Sequence, residues 1–278
     1  MPQFESIQDK LKEFFQLTQL KGRDVKSGKE VALVENCMAK IGDGKVSVKA
    51  IDITDSVFIS VEMSVQKSED GDIPIGDIDE ILKVLDRFKA TDVIRLVCEE
   101  NKIKILRRDP LKRVTLPHVD PEYISSNAGV SKLPYRMHEG LPTAFVDGQI
   151  HLDEEGKEYN LSTKITLDSK DIKDLLSDGL AIRKLSSATY REKFILATNG
   201  STVKAIIIGD NNRKIENELV AVVEGPDVEH TYSYGFTNIF QNLSGKADIF
   251  LAKERHMWIN KITTNLSASF LIGCVTEE

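Results

Sequence analysis

Val48-Lys49-Ala50-Ile51 returns 155 residues later as Val203-Lys204-Ala205-Ile206, and each copy follows a glycine-containing turn. A second unit returns in the same order. Ile81-Leu82, Asp92, the run Val93 to Cys98 and the run Lys102 to Leu106 come back as Ile239-Phe240, Asp248, Ile249 to Ala252 and Met257 to Ile262, at an offset of 158 for the first pair and 155 to 156 for the others. One four-residue match is noise, but two ordered matches at nearly equal offsets mark an internal duplication, although any two α+β domains share part of this pattern.

Working outward from the repeats, the first half predicts two amphipathic helices among many strands. Ile7, Leu11 and Phe14 stand at helical spacing with Phe15 beside them, opposite Asp9, Lys12 and Gln16, so a helix is expected to open the chain. Asp77 to Phe88 predicts the second helix, with Ile78, Ile81, Leu82 and Leu85 on one face and Lys83 and Arg87 opposite. Alternating and β-branched runs from Glu30 to Met63 read as antiparallel strands broken at Gly42-Asp43-Gly44, and Glu99-Glu100-Asn101 separates two further short strands.

The second half predicts helices over Ser169 to Leu176, with Ile172, Leu175 and Leu176 apolar, and over Phe236 to Leu243, with Phe236, Ile239, Phe240 and Leu243 apolar. Between about Leu116 and Pro142 periodicity fades, and four of the eight prolines fall there, which suits an extended connector. The expected organisation is an N-terminal domain over residues 1–118, a connector over 119–142 and a C-terminal domain over 143–278.

The 278 residues carry 37 Lys+Arg against 44 Asp+Glu, a formal net charge of -7, which excludes a small, uniformly basic nucleic-acid-binding module. With 41% hydrophobic and 29% charged residues the composition is that of a globular chain. No apolar h-region follows a basic cluster at the start, and no run approaches the roughly 18 apolar residues of a membrane span, so the expected location is cytosolic or nuclear. Cys37, Cys98 and Cys274 form no CxxC pair and are expected to be reduced and mostly buried.

Nothing in the sequence argues for catalysis. His118, His138, His151, His230 and His256 sit in no HExxH motif, and there is no GxSxG elbow. Gly42-Asp43-Gly44-Lys45 lacks the third glycine of a dinucleotide loop. Asp70 with Asp72, and Asp153 with Glu154 and Glu155, read as solvated loop tips rather than a metal site, and His118 with Asp120 as connector polarity rather than a dyad. No cofactor or metal is expected. The Lys and Arg residues opposite the apolar helix faces are more suggestive, although some polar residue must face water on any such helix.

With the duplication, the helices and the connector assembled, the chain resembles the PCNA-like DNA sliding clamps, the DNA polymerase processivity factors. Ala50-Ile51-Asp52-Ile53-Thr54-Asp55-Ser56-Val57-Phe58-Ile59 is similar to the family's A-M-D-x-S-x-V-x-L strand and loop, with one extra residue. Ile81 to Leu106, with Lys89-Ala90-Thr91-Asp92, resembles its helix, turn and hairpin, and Ser269 to Glu278 its terminal strand and acidic tail. Gly225-Pro226-Asp227-Val228-Glu229-His230-Thr231-Tyr232 and the segment Asp109 to Pro134 are closer to clamps of tailed bacteriophages, which makes a virus-encoded chain an open alternative.

The resemblance implies an α+β fold of two similar domains, each with two helices on antiparallel sheets, and a homotrimeric ring around duplex DNA. Its implied partners are DNA without sequence preference, a DNA polymerase, a clamp loader and two further copies of itself. No membrane partner and no enzymatic activity are implied. The implied DNA-facing residues are Lys12, Lys83, Arg87, Lys170, Lys173, Asn238 and Gln241. Such residues would touch phosphates without reading bases, so the net negative charge is no objection. Subunits would join through edge strands, Arg113, Val114, Thr115 and Leu116 on one side and Leu219, Val220 and Ala221, within the stretch Ile215 to Val223, on the other. A partner-peptide pocket would draw on Val57, Ile59, Leu133, Pro134, Tyr135, Phe270, Leu271 and Ile272. The alternatives are a clamp-fold subunit of a mixed repair or checkpoint ring, and a monomeric two-domain enzyme.

Overall fold

The computed structural model describes residues 1–23, 30–52, 57–100, 102–124, 149–152, 157–160, 163–182, 193–209, 213–233, 238–251, 257–263 and 265–272. They fall into two compact units. The first comprises Met1–Leu20, Ala32–Lys132 and Ile262–Ala268, and the second Lys21–Val31, Leu133–Lys261 and Ser269–Glu278.

The chain begins with a strand, β1 (Gln3–Ile7), and only then enters α1 (Gln8–Gln19). This corrects the expectation of a helix at the very start. Phe4 is fully buried while Ile7 is largely exposed, because β1 is hydrogen-bonded on both sides and its side chains follow a two-residue period that the helical spacing of Ile7, Leu11 and Phe14 conceals. The short strands β2 (Lys21–Arg23) and β3 (Glu30–Ala32) pair with each other. Then come β4 (Cys37–Gly42), β5 (Lys45–Ile51), β6 (Val57–Ser64), β7 (Gln66–Glu69), β8 (Gly71–Ile75), α2 (Ile78–Leu85), β9 (Val93–Glu99), β10 (Lys102–Arg107) and β11 (Lys112–Pro117).

Gly42-Asp43-Gly44 makes the expected turn. Gly42 pairs with Lys45, and both Asp43 (φ 52) and Gly44 (φ 71) take the left-handed conformation that a two-residue hairpin loop of the right twist requires. Helix α2 starts at Asp77, whose carboxylate accepts from the Glu80 N–H at 2.9 Å. Its apolar side, Ile78, Ile81, Leu82 and Leu85, is buried as expected, and Phe88 is buried just past its end. Leu11, Phe14, Phe15 and Leu17 of α1 are buried as well, with the Phe14 and Phe15 rings edge to face at 5.2 Å.

Beyond a 3-10 turn at Pro121–Tyr123, the chain continues with β12 (Gln149–Leu152), β13 (Lys157–Asn160), β14 (Thr163–Asp168), α3 (Ser169–Ile182), β15 (Lys193–Asn199), β16 (Thr202–Ile208), β17 (Lys214–Leu219), β18 (Ala221–Glu224), β19 (Glu229–Ser233), α4 (Asn238–Asn242), β20 (Lys246–Leu251), β21 (Met257–Ile262) and β22 (Leu266–Ile272). Helix α3 runs six residues past the expected Leu176, and the Ser177 hydroxyl donates to the Lys173 carbonyl at 3.0 Å, one turn back. Ile172, Leu175, Leu176, Ile239, Phe240 and Leu243 are buried, while Phe236 lies outside the described residues.

The duplication holds at the level of topology. In the first unit, strands run in the order β7-β1-β9-β10-β11 in one sheet and β6-β5-β4-β8 in another run. In the second half of the chain, β18-β14-β20-β21-β22 and β17-β16-β15-β19 repeat those orders element for element. Val48 to Ile51 lies in β5 and Val203 to Ile206 in β16, which are equivalent strands. One pairing of residues does not hold. Asp92 sits in the turn before β9, whereas Asp248 lies inside β20, where it accepts from the Thr166 hydroxyl and lies 3.7 Å from the Lys164 ammonium.

Candidate functional site

The expected DNA-facing residues differ in their electrostatic state. Lys12 on α1 is bonded to Asp86 at 2.6 Å, and Lys83 on α2 to Asp79 one turn back at 3.0 Å. Both cations are therefore matched by a neighbouring carboxylate. Arg87 and Lys170 are exposed and Lys173 half-exposed, with no carboxylate partner among the described residues. Asn238 and Gln241 fall in α4, whose side chains at those two positions lie outside the described set.

Just beyond α2 the chain gathers more positive groups. Asp92 accepts from the Lys89 N–H at 2.9 Å and pairs with Arg107 at 2.8 Å. The Lys89 N–H, followed by the Arg107 guanidinium, holds the Asp92 carboxyl below the usual carboxylate range. A carboxylate with a lowered native pKa stabilises the fold fully above about pH 4, the value of a free aspartate, and loses that contribution as pH falls through the lowered value. Asp92→Asn is expected to lower the urea midpoint at neutral pH, with the difference from wild type closing in acid; a difference constant across the acid limb would show that the charge is not what matters.

The expected edges are strands at the margins of their sheets. β11, carrying Arg113, Val114, Thr115 and Leu116, is outermost in the first unit's five-stranded sheet. In the second unit the stretch Ile215 to Val223 spans two outermost strands, β17 and β18, with Leu219 closing one, Ala221 opening the other and Val220 between them. Val220 is 85% exposed and Val222 62%. On β17, Lys214 at 2.5 Å and Lys204 at 3.2 Å hold Glu216 below its usual range.

Of the expected peptide-pocket residues, Val57, Ile59, Phe270, Leu271 and Ile272 are buried, and Leu133, Pro134 and Tyr135 lie outside the described residues. The Asp120 carboxylate accepts from the Glu122 N–H at 3.0 Å and so caps the 3-10 turn. Cys37 and Cys98 are buried free thiols, with burial pushing both upward in pKa. Cys274, His138, His256, Asp153, Glu154 and Glu155 lie outside the described residues, and no helix among those described is long and apolar enough to cross a membrane.

No protein-family model and no curated protein sequence matches the chain. Solved structures do. PCNA from Entamoeba histolytica is similar to it with a TM-score of 0.72 at 11% identity, over 99% of each chain. A. fulgidus PCNA, solved with the C-terminal region of FEN-1 bound, is similar with a TM-score of 0.70 at 13% identity, over 100% of each chain. The fold is that of the PCNA-like sliding clamp. At such low identity the likeness speaks for the clamp backbone alone, and the duplicated strand order is that of an α+β clamp fold running through the whole chain.

Lys89 and Lys112 were not singled out by the sequence reading. Helix α2 ends at Leu85, three residues short of the expected Phe88, so Arg87 stands in the turn beyond it, where the Lys112 ammonium, from the strand paired with that of Arg107, donates to its carbonyl.

Proposed function

We propose that the chain is a sliding clamp: three copies close head to tail into a ring around duplex DNA and tether the replicative polymerase and other DNA-processing proteins, with a clamp loader opening the ring. The observation that carries this reading is the clamp fold over the full length of the chain, in both of its repeats. The outermost strands β11 and β17 offer unpaired backbone groups of the kind that join subunits. Exposed Arg87 and Lys170 and half-exposed Lys173 offer sequence-neutral phosphate contacts. The ring tethers and catalyses nothing, and partner proteins are proposed to dock at the connector, through Leu133, Pro134 and Tyr135.

The test is extension of a primed circular template by the cognate polymerase with loader present. Added protein is expected to lengthen the product made per binding event; unchanged product length ends the reading. A second reading, one subunit of a mixed ring, is favoured by α4, Asn238–Asn242, which contains no basic residue. Solution mass separates the two: the homotrimer weighs about 93 kDa, three times 31.1 kDa, whereas a mixed-ring subunit alone stays at 31.1 kDa.

A further inference from the structure

The two repeats close the same ladder in the same way. The Gln8 N–H, at the start of α1, donates to the Asp92 carbonyl at 2.8 Å, and the Ser169 N–H, at the start of α3, to the Gly245 carbonyl at 2.9 Å. The cross-strand pair one step inside that closure is therefore equivalent in the two halves. In the second half it is Asp168 opposite Lys246, an exposed pair of opposite charge. In the first it is Ile7 opposite Val93, 43% and 47% exposed. The fold accepts a charged pair at this place, so folding does not demand the apolar one.

The surroundings of the apolar pair are cationic, on a chain of net charge -7. Glu5, two residues before Ile7 and on the same face of β1, is nearly buried and takes up two cations, Lys67 at 3.2 Å and Arg108 at 3.3 Å. Arg95 stands opposite Glu5 in the ladder, on the face of Val93, and donates to the Gln3 side-chain carbonyl. Farther along this face Lys102 and Lys104 share Glu99. Exposed aliphatic side chains beside an excess of positive charge call for a ligand that is both aliphatic and acidic. A nucleic-acid backbone matches the charge but brings nothing apolar to cover Ile7 and Val93.

We propose that Ile7 and Val93, with Arg95 and Arg108 beside them, form a docking surface for an acidic peptide segment of a partner protein, one that carries adjacent aliphatic residues between carboxylates. The aliphatic side chains cover the apolar pair, and the carboxylates meet the two arginines. The surface belongs to the first unit alone, uses none of the connector residues, and does not depend on ring formation.

The test is fluorescence anisotropy of the full-length chain with a fluorescein-labelled peptide, Asp-Glu-Ile-Val-Asp-Glu, against the same peptide with Ser-Ser at its centre. The aliphatic peptide is expected to bind on the order of tenfold more tightly. Ile7→Asp with Val93→Lys installs the charged pair of the second half without changing net charge, and is expected to weaken the aliphatic peptide to the level of the serine one. Ile7→Ser with Val93→Ser is expected to do the same. Both variants are expected to melt within about 2 °C of wild type, because the substituted side chains are largely exposed. Arg95→Gln with Arg108→Gln is expected to weaken both peptides alike and to flatten their salt dependence.

Equal binding of the two peptides, unchanged binding by the variants at Ile7 and Val93, or no saturable binding to wild type up to about 1 mM overturns the proposal. Loss of self-assembly in those variants places a second copy of the chain over the pair and also overturns it. So does displacement of the aliphatic peptide by duplex DNA together with weaker duplex binding by the same variants, which makes the face a nucleic-acid surface.

Discussion

Phe14→Ala is expected to cost about 3–5 kcal/mol of stability in the first unit, the usual range for removing a fully buried phenyl ring. Phe14 has no exposed surface, meets the edge of Phe15 at 5.2 Å and lies on α1, whose backbone at this point also accepts the Thr18 hydroxyl at 2.9 Å. Truncation removes the ring from between α1 and the rest of the core, and close-packed neighbours collapse only partly into the space. Gln16→Ala, on the exposed side of the same helix, is expected to stay within about 0.5 kcal/mol of wild type. Urea unfolding followed by circular dichroism measures both; equal losses would mean that α1 does not bury the face described.

The second large effect concerns assembly. Val220→Asp with Val222→Asp is expected to convert a particle of about 93 kDa, three times 31.1 kDa, into one of 31.1 kDa by light scattering, with little change in the melting temperature of the chain. Both valines are already exposed in the isolated chain, so the substitutions cost the fold little. Exposed apolar side chains on an outermost strand and the link leading into it, as Val222 and Val220 are, form an aggregation liability unless a partner covers them. Two carboxylates buried there on association would carry a desolvation penalty that a weakly polar interface cannot offset. A trimer that survives the double substitution places the interface elsewhere, and a wild-type monomer removes the homotrimer.

Much of this fold was legible because its signals are local and repeated. The apolar stripe of α2 is regular, its start has an aspartate cap, and the glycine pair around Asp43 permits one turn geometry. The order of elements could be read from the duplication, since Val48 to Ile51 and Val203 to Ile206 occupy equivalent strands. Strand β1 was hidden because Ile7, its last residue, fits the spacing of the helix that follows, and only pairing with β7 and β9, distant in sequence, reveals a strand. Asp248 misled for a related reason: an aspartate beside an apolar run looks the same whether it precedes a strand or lies within one.

The candidate site was less legible. Helix geometry puts Lys12 and Lys83 opposite the apolar side, but whether a cation is free depends on which carboxylate its long side chain can reach. Asp86 comes from another helix and Asp79 from one turn away. Lys112 was overlooked because it lies 25 residues from Arg87 along the chain and meets it only through the hydrogen bond from its ammonium to the Arg87 carbonyl.

The outermost strands β11 and β17 belong to different units and differ in sequence, so a junction between them is not self-complementary. A contact of that kind has no inherent end: each added copy presents the same unused strand as the last. In the proposed ring, whether growth stops at three or runs on as a fibre is set by the rotation per step, so substitutions that tilt this proposed junction while keeping its strength are expected to give filaments instead of monomers.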